Sequence, residues 1–374
     1  MSRASVRDAR RPGTREGRSG KWRRLRWPLL IVLVLLAALA LGPRVDSALP
    51  QIAMPSVPQD PLALQVWLDA RERATPGLRK DNQARIVWAD PAHPGRRDCA
   101  IVYLHGFTAS QGEGAPTHLR LARSFGCNLY LPRLPGHGLV AADALRDVDA
   151  PRLLGGAAEA LAVARVLGRR VVVIGNSMGG ALALQTVAAH PQQVQALVLW
   201  SPLVREHGEQ LQPLLWPWGA QLLLWSRNGG DPVMRYPVDS GYWADATHVD
   251  GYRALAALTR GGMLPATYAR IRVPVFLGYY YRDAQQQDAT VSVAAMQAMF
   301  AQLGTPKALR QAVDFPEAGN HVLASPIRSR AVPAVFAATC RFLAGKGGLT
   351  QPAELPDCAA AWAADERADA AAAR

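Results

Sequence analysis

From Val171 the chain runs Val-Val-Val-Ile into Gly175-Asn176-Ser177-Met178-Gly179-Gly180 and straight on into Ala181-Leu182-Ala183-Leu184. No other stretch restricts the fold as much. Four β-branched residues in a row suit a strand buried on both faces, and the run after the glycines is a strong helix former. Only a sharp turn separates the two. Glycines at 175 and 179 leave room for it, and such a turn holds Ser177 in strained backbone geometry with its hydroxyl raised above a sheet.

The rest of the chain repeats this grammar. Short apolar runs at Ala100 to Leu104, Asn128 to Leu131, Ala196 to Trp200 and Val273 to Gly278 alternate with helical segments, and weaker strands are expected at Arg85 to Trp88 and Ala308 to Phe315. This predicts an α/β fold, a mostly parallel sheet with helices on both faces, and a site at the carboxyl ends of the strands. The alternation breaks once, in about residues 202–271, where Trp216, Trp218, Trp225 and Trp243 lie among helical stretches with no clear strand. That segment reads as an inserted helical cap. Its tryptophans either line an apolar pocket or form the core the insertion needs.

Charge separates the ends from the middle. Lys plus Arg exceed Asp plus Glu by 42 − 29 = 13, but ten basic residues against Asp8 and Glu16 precede Trp27. The body is thus close to balanced and carries no basic, aromatic-interleaved surface, which argues against nucleic acid as a partner. The basic leader, 1–26, meets an apolar stretch, 27–42, expected to be a signal anchor or a signal peptide. The run is short for a ~30 Å hydrocarbon core and offers Ala38-Leu39-Ala40 for cleavage, while Trp27 and the long leader suit an uncleaved anchor. Either outcome keeps the leader cytoplasmic and exports the rest, to the periplasmic face of a bacterial-type inner membrane or free beyond it.

A Pro-rich linker, 43–61, is expected to tether the α/β body, 62–345, and an Ala-rich tail, 346–374, need not be ordered. A helix is expected from Leu62 to Arg73. Four cysteines in an exported chain can form disulfides. Cys99 and Cys127 open two strands that can be neighbours, and Cys340 and Cys358 can staple the tail to the last helix. The alternative is that they are small buried apolar residues.

A serine hydroxyl needs a base to take its proton and an acid to orient that base, in the order Ser, acid, His for a strand–turn–helix nucleophile. His321 fits the base, in a Gly/Asn loop between the Ala308 to Phe315 strand and a final helix. Two acids follow the Val273 to Gly278 strand, Asp283 and Asp288. Asp288 is preferred because Asp-Ala-Thr-Val directly precedes a helix expected from Val293 to Leu303, and Asp283 stays as the alternative. The oxyanion of acyl transfer needs N–H donors. Met178, after the nucleophile, supplies one; Phe107, in His105-Gly106-Phe107-Thr108 after an early strand, supplies the other.

Together with Pro132-Arg133-Leu134-Pro135-Gly136-His137-Gly138, these motifs resemble the carboxylesterases and monoacylglycerol lipases of the α/β-hydrolase superfamily, over about Arg85 to Gly345. The resemblance implies an eight-stranded, mostly parallel sheet, a cap after the sixth strand, and hydrolysis of small-molecule acyl esters with no cofactor and no metal. Two departures stand out. Tyr279-Tyr280-Tyr281-Arg282 lengthens a loop that usually holds a short Gly-x-x-Asp, and Asn176 is also seen in carbon–carbon bond hydrolases. Thioester, amide or carbon–carbon cleavage therefore stays open beside ester hydrolysis, as does a membrane-tethered ligand-binding protein without turnover.

Overall fold

The computed structural model describes residues 19–237, 240–364 and 367; the basic leader before residue 19 and the end of the tail lie outside the described residues. The chain divides into two units, Met1–Arg44 and Val45–Arg374. The first holds α1 (Ser19–Leu41), with Pro28 inside it. Its side chains from Leu29 to Leu36 are exposed. Among the described residues no helix is long and apolar enough to cross a membrane. The reason is visible in the sequence: the apolar part begins only at Trp27 and rises roughly 22 Å at ~1.5 Å per residue.

The second unit runs α2 (Pro61–Arg73), β1 (Arg85–Val87), β2 (Arg97–Leu104), α3 (Thr117–Ser124), β3 (Asn128–Leu131), α4 (Ala150–Leu167), β4 (Gly168–Asn176), α5 (Met178–Ala189) and β5 (Ala196–Trp200). The cap segment then supplies α6 (Gly219–Asn228), β6 (Val233–Arg235), β7 (Ala246–His248), α7 (Val249–Gly262) and α8 (Pro265–Arg270). The chain closes with β8 (Val275–Tyr279), α9 (Val293–Ala301), β9 (Arg310–Asp314) and α10 (Val332–Ala344).

The main sheet has the order β1-β3-β2-β4-β5-β8-β9, parallel throughout except for β1 against β3. It has seven strands among the described residues, against the eight expected. The missing strand would precede β1, where the chain is instead Pro-rich and then helical as α2, with no apolar alternation to form a sheet edge.

Alternation along the strands builds two cores. Ala100, Val102, Leu104, Val171, Val173, Leu197 and Leu199 face the layer containing α4 and α5, while Ile101, Tyr103, Val172, Ile174, Val198 and Trp200 face the layer containing α10. Strand side chains alternate faces, so a continuous Val/Ile/Leu run supplies both layers. Each such side chain, fully buried, contributes about 1.5–3 kcal/mol.

Three elements differ from the sequence reading. The cap contains a two-stranded antiparallel pair, β6 with β7, whose three-residue strands are too short to carry a pattern. The Pro-rich linker is no free tether: Val57 is buried, and Val45, Leu49, Ile52 and Met54 pack on the core. His190 Nε2 also contacts the Ile52 carbonyl at 2.8 Å. The tail is docked as far as it is described, with Leu349, Cys358 and Ala361 buried and the Arg120 guanidinium 3.9 Å from the centre of the Trp362 ring. Both expected disulfides are present, Cys99–Cys127 and Cys340–Cys358.

Candidate active site

Ser177 stands between β4 and α5 at φ +51°, a left-handed conformation that costs a residue with a side chain about 1–3 kcal/mol. The cost is met by its surroundings. Its N–H donates to the Trp200 carbonyl at 3.1 Å, and its own carbonyl accepts from Gly180, Ala181 and Leu203. The turn can close only because residue 179 has no side chain: a Cβ there would lie 1.9 Å from the Leu104 carbonyl oxygen. The Ser177 side chain does not cap α5 and instead lines a cavity.

His321 and Asp288 meet at the carboxyl end of the sheet, with Nδ1 to Oδ2 at 2.6 Å. Asp288 is fully buried, and its other oxygen, Oδ1, accepts from the N–H groups of Thr290 at 2.8 Å and Val291 at 3.0 Å. Burial works to raise the Asp288 pKa, but the charge of His321 and these hydrogen bonds outweigh it, so the carboxyl is held below its ordinary value. Burial works to lower His321; the charge and hydrogen bond of Asp288, with a further contribution from Glu113, outweigh it and raise the imidazole above its ordinary value. His321 Nε2 is buried with no hydrogen-bond partner among the described residues.

Asp283, the alternative acid, is elsewhere engaged. Its Oδ1 accepts from the N–H groups of Gln285 at 2.9 Å and Gln286 at 2.7 Å, as a turn-capping carboxylate does. The extra residues after β8 fold as a small hairpin, with Tyr281 bridged to Gln287 and the Asp288 N–H donating to the Tyr280 carbonyl. The insertion thus leaves the strand end and returns to it, so Asp288 lies back beside Tyr280.

Met178 opens α5, where the first N–H groups have no acceptor within the helix. Phe107 follows β2, its ring edge-on to Tyr252 at 5.0 Å, and it lines the same cavity as Ser177. His105 and His137 hold the loops around it. His105 Nε2 accepts from the Leu134 N–H at 3.2 Å, and the two rings are 4.9 Å apart. Burial pushes His105 down to about 3 and His137 down to about 4, so both are neutral props.

The cavity above Ser177 has a volume of about 470 Å³. Its walls are mainly apolar, from Leu203, Leu211, Leu214, Leu224, Met234, Val249 and Leu255, with Glu206, His207, Gln210 and Arg227 among the lining residues. The cap supplies most of this wall, but none of its four tryptophans does. Trp216, Trp218 and Trp225 are exposed, and Trp243 lies beneath the Arg328 guanidinium, 5.0 Å from the ring centre. Both sequence readings of these tryptophans, as pocket lining and as cap core, are therefore corrected. On α6 the inward positions fall to Leu223 and Leu224, and the next residue, Trp225, is rotated about 100° away.

Sequence reasoning missed Glu113, a buried carboxylate beneath the Phe107 loop. Gln-Gly-Glu-Gly has the look of a solvated turn and carries no hydrophobic pattern that would signal burial. Among the described residues no group of three or more His, Cys, Asp or Glu side chains is placed to hold a metal ion.

Residues 101–339 match the model of the Alpha/beta hydrolase family. Over 167 residues the chain is 32% identical to Lipase LipV of Mycobacterium tuberculosis (strain ATCC 25618 / H37Rv), covering 41% of this chain and 54% of that protein. The match thus spans about half the length of that relative. Among solved structures, one of LipS and LipT, two metagenome-derived lipolytic enzymes, superposes with a TM-score of 0.57 at 15% identity, covering 71% of this chain and 98% of the other. The monoacylglycerol lipase of Paleococcus ferrophilus does so at 0.51 and 15%, covering 70% and 98%. At such identities the likeness is one of fold. The family match runs from the second half of β2 through β9, with the Ser177 turn and the loop that carries His321, and on that ground the chain belongs to the alpha/beta hydrolase family.

Proposed function

We propose that the protein is a serine hydrolase of carboxylic esters. The observation that carries this reading is the buried Asp288–His321 pair, whose other nitrogen, Nε2, has no partner among the described residues, together with the strained Ser177 lining an apolar cavity. Ser177 Oγ attacks the ester carbonyl carbon while Nε2 takes its proton, and the carbonyl electron pair moves onto oxygen, where the Phe107 and Met178 N–H groups receive it. Collapse expels the alcohol with the proton from His321. Water then attacks the acyl-enzyme with His321 again as base and releases the acid. The cavity walls suit the acyl chain, whose burial against leucine and methionine contributes about 0.8 kcal/mol per methylene.

The test is turnover of p-nitrophenyl esters from acetate to palmitate by the full chain beside Ser177→Ala. Turnover lost in the variant supports the reading, and its chain-length optimum measures the cavity. Covalent labelling of Ser177 by a fluorophosphonate without ester turnover would move the reading to another acyl-type bond. Neither signal would leave a binding protein.

The basic leader and the apolar run after it support export, with the body beyond the membrane, and the two disulfides suit an oxidising compartment. Fractionation of expressing cells, with sequencing of the mature N-terminus, tests this. A start after Ala40 means a cleaved signal, an intact leader in the membrane fraction means an anchor, and an intact soluble cytoplasmic chain would overturn export.

A further inference from the structure

Glu113 lies in a short 3-10 turn, Gln111–Gly114, and is 3% exposed. Its Oε2 accepts from the Gly106 N–H at 2.6 Å and from the Tyr103 hydroxyl at 3.0 Å. The carboxyl is wedged against Gly106 so closely that a Cβ there would lie 2.5 Å from Oε1. On the far side, the Gly106 carbonyl accepts from the Ala109 N–H at 3.3 Å and meets His105 Nδ1 at 3.0 Å. Gly106 is therefore fixed at both its N–H and its C=O. The next N–H along the chain is that of Phe107.

No Lys or Arg pairs with Glu113 among the described residues. Burying an unpaired carboxylate costs several kcal/mol, and a neutral amide would pin the Gly106 N–H as well. The charge therefore calls for a use beyond the pin, and His321, within reach of its field, supplies one.

We infer that Glu113 is a positioning residue of the proposed reaction: through Gly106 it aims the Phe107 N–H at the developing oxyanion, and its charge steadies the His321 imidazolium formed when Ser177 gives up its proton. This rests on the reading of Ser177 and His321 given above. Glu113 itself neither gives nor takes a proton in the cycle. The proton passes from Ser177 Oγ to His321 Nε2 and on to the leaving alcohol, while Asp288 stays bonded to the imidazolium at Nδ1 and Glu113 adds its charge from a distance.

The groups packed against Glu113 carry no charge that would compete with it near neutral pH. Burial pushes Glu113 up to about 7, against the pull of the Gly106 and Tyr103 hydrogen bonds and of His321. Around it, Tyr103 of β2 is pushed well above its ordinary value by burial, while burial takes His105 down to about 3 and His118 of α3 down to about 4. Asp288, beyond His321, is already ionised.

The test compares full-chain wild type, Glu113→Gln and Glu113→Ala for p-nitrophenyl butyrate turnover between about pH 5 and 9, with Ser177→Ala as the blank and a thermal melt for each. Glu113→Gln keeps an acceptor for Gly106 and loses the charge. It should lower kcat about tenfold at about pH 8 to 9, where Glu113 is ionised, with KM within about twofold, and move the acid limb of kcat/KM down by up to about half a pH unit, because His321 loses a neighbouring negative charge that fades below about pH 7. Glu113→Ala, if it folds, should lose more kcat. A purely structural role would lower the melting point without moving the acid limb. A Gln variant with wild-type kcat and an unmoved acid limb overturns the inference while leaving the hydrolase reading standing. Absence of Ser177-dependent turnover in wild type overturns both.

Discussion

Asp283 and Asp288 are five residues apart in one loop, and sequence alone ranked them only by the Asp-Ala-Thr-Val arrangement. The structure separates them by what their oxygens do: Asp288 spends one on His321 and one on two backbone N–H groups, whereas Asp283 spends its on a turn. Asp288→Asn should lower kcat by about 10³ to 10⁴, because the amide favours the wrong imidazole tautomer, while Asp283→Asn should stay within about threefold of wild type. Ester kinetics on the two variants decide this. The pH dependence follows from His321. It must be neutral to act as base, and its pKa lies above the ordinary 6.5, so kcat/KM should fall as pH drops through a midpoint above that value. A midpoint well below 6.5 would count against His321 as the base. The sharp turn at Ser177 and the loop that brings His321 to Asp288 were legible because glycines and short polar residues mark such turns and loops locally. Glu113 was not, because Gln-Gly-Glu-Gly has the composition of a solvated turn and carries no apolar pattern that would signal its burial.

At the scale of elements, the buried strands were the most legible, since a parallel strand between two layers must be apolar along its whole length. Asn128–Leu131 and Ala196–Trp200 fell at their observed bounds. The cap was the least legible: its strands are three residues long, and its tryptophans point outward for reasons of helix phase that composition does not show. The cavity wall it does form can be tested. Leu224→Trp on α6 should narrow the space above Ser177 and shift the preferred p-nitrophenyl ester toward shorter acyl chains, with acetate turnover least affected. The tail offers a second measurement. The Cys340–Cys358 bridge closes a loop with a sequence separation of 18. Replacing both cysteines by serine should cost about 3 kcal/mol, and a thermal melt should read this as a drop of several degrees.

On the scale of the whole molecule, the seven-stranded sheet and its two cores follow the pattern of apolar runs, and the one strand too many came from the family resemblance rather than from the residues before Arg85. The segment that replaces it is the larger surprise. From Val45 to Val57 the chain lies across the body as a strap, and the Ser47 carbonyl passes so close to Gly261 that a Cβ there would sit 1.9 Å away. Deleting residues 1–57 should therefore lower the melting temperature by several degrees, since Val57 alone accounts for about 1.5 kcal/mol when buried. The strap lies along a cleft shared with Gln185, Ala188 and Ala189 of α5 and with Gly261 and Gly262 of α7. α5 is also the helix whose first residue follows Ser177. In mechanical terms the strap is fastened rather than loose, and the two helices it is fastened along, α5 and α7, are the ones a pull on Val45 would meet first.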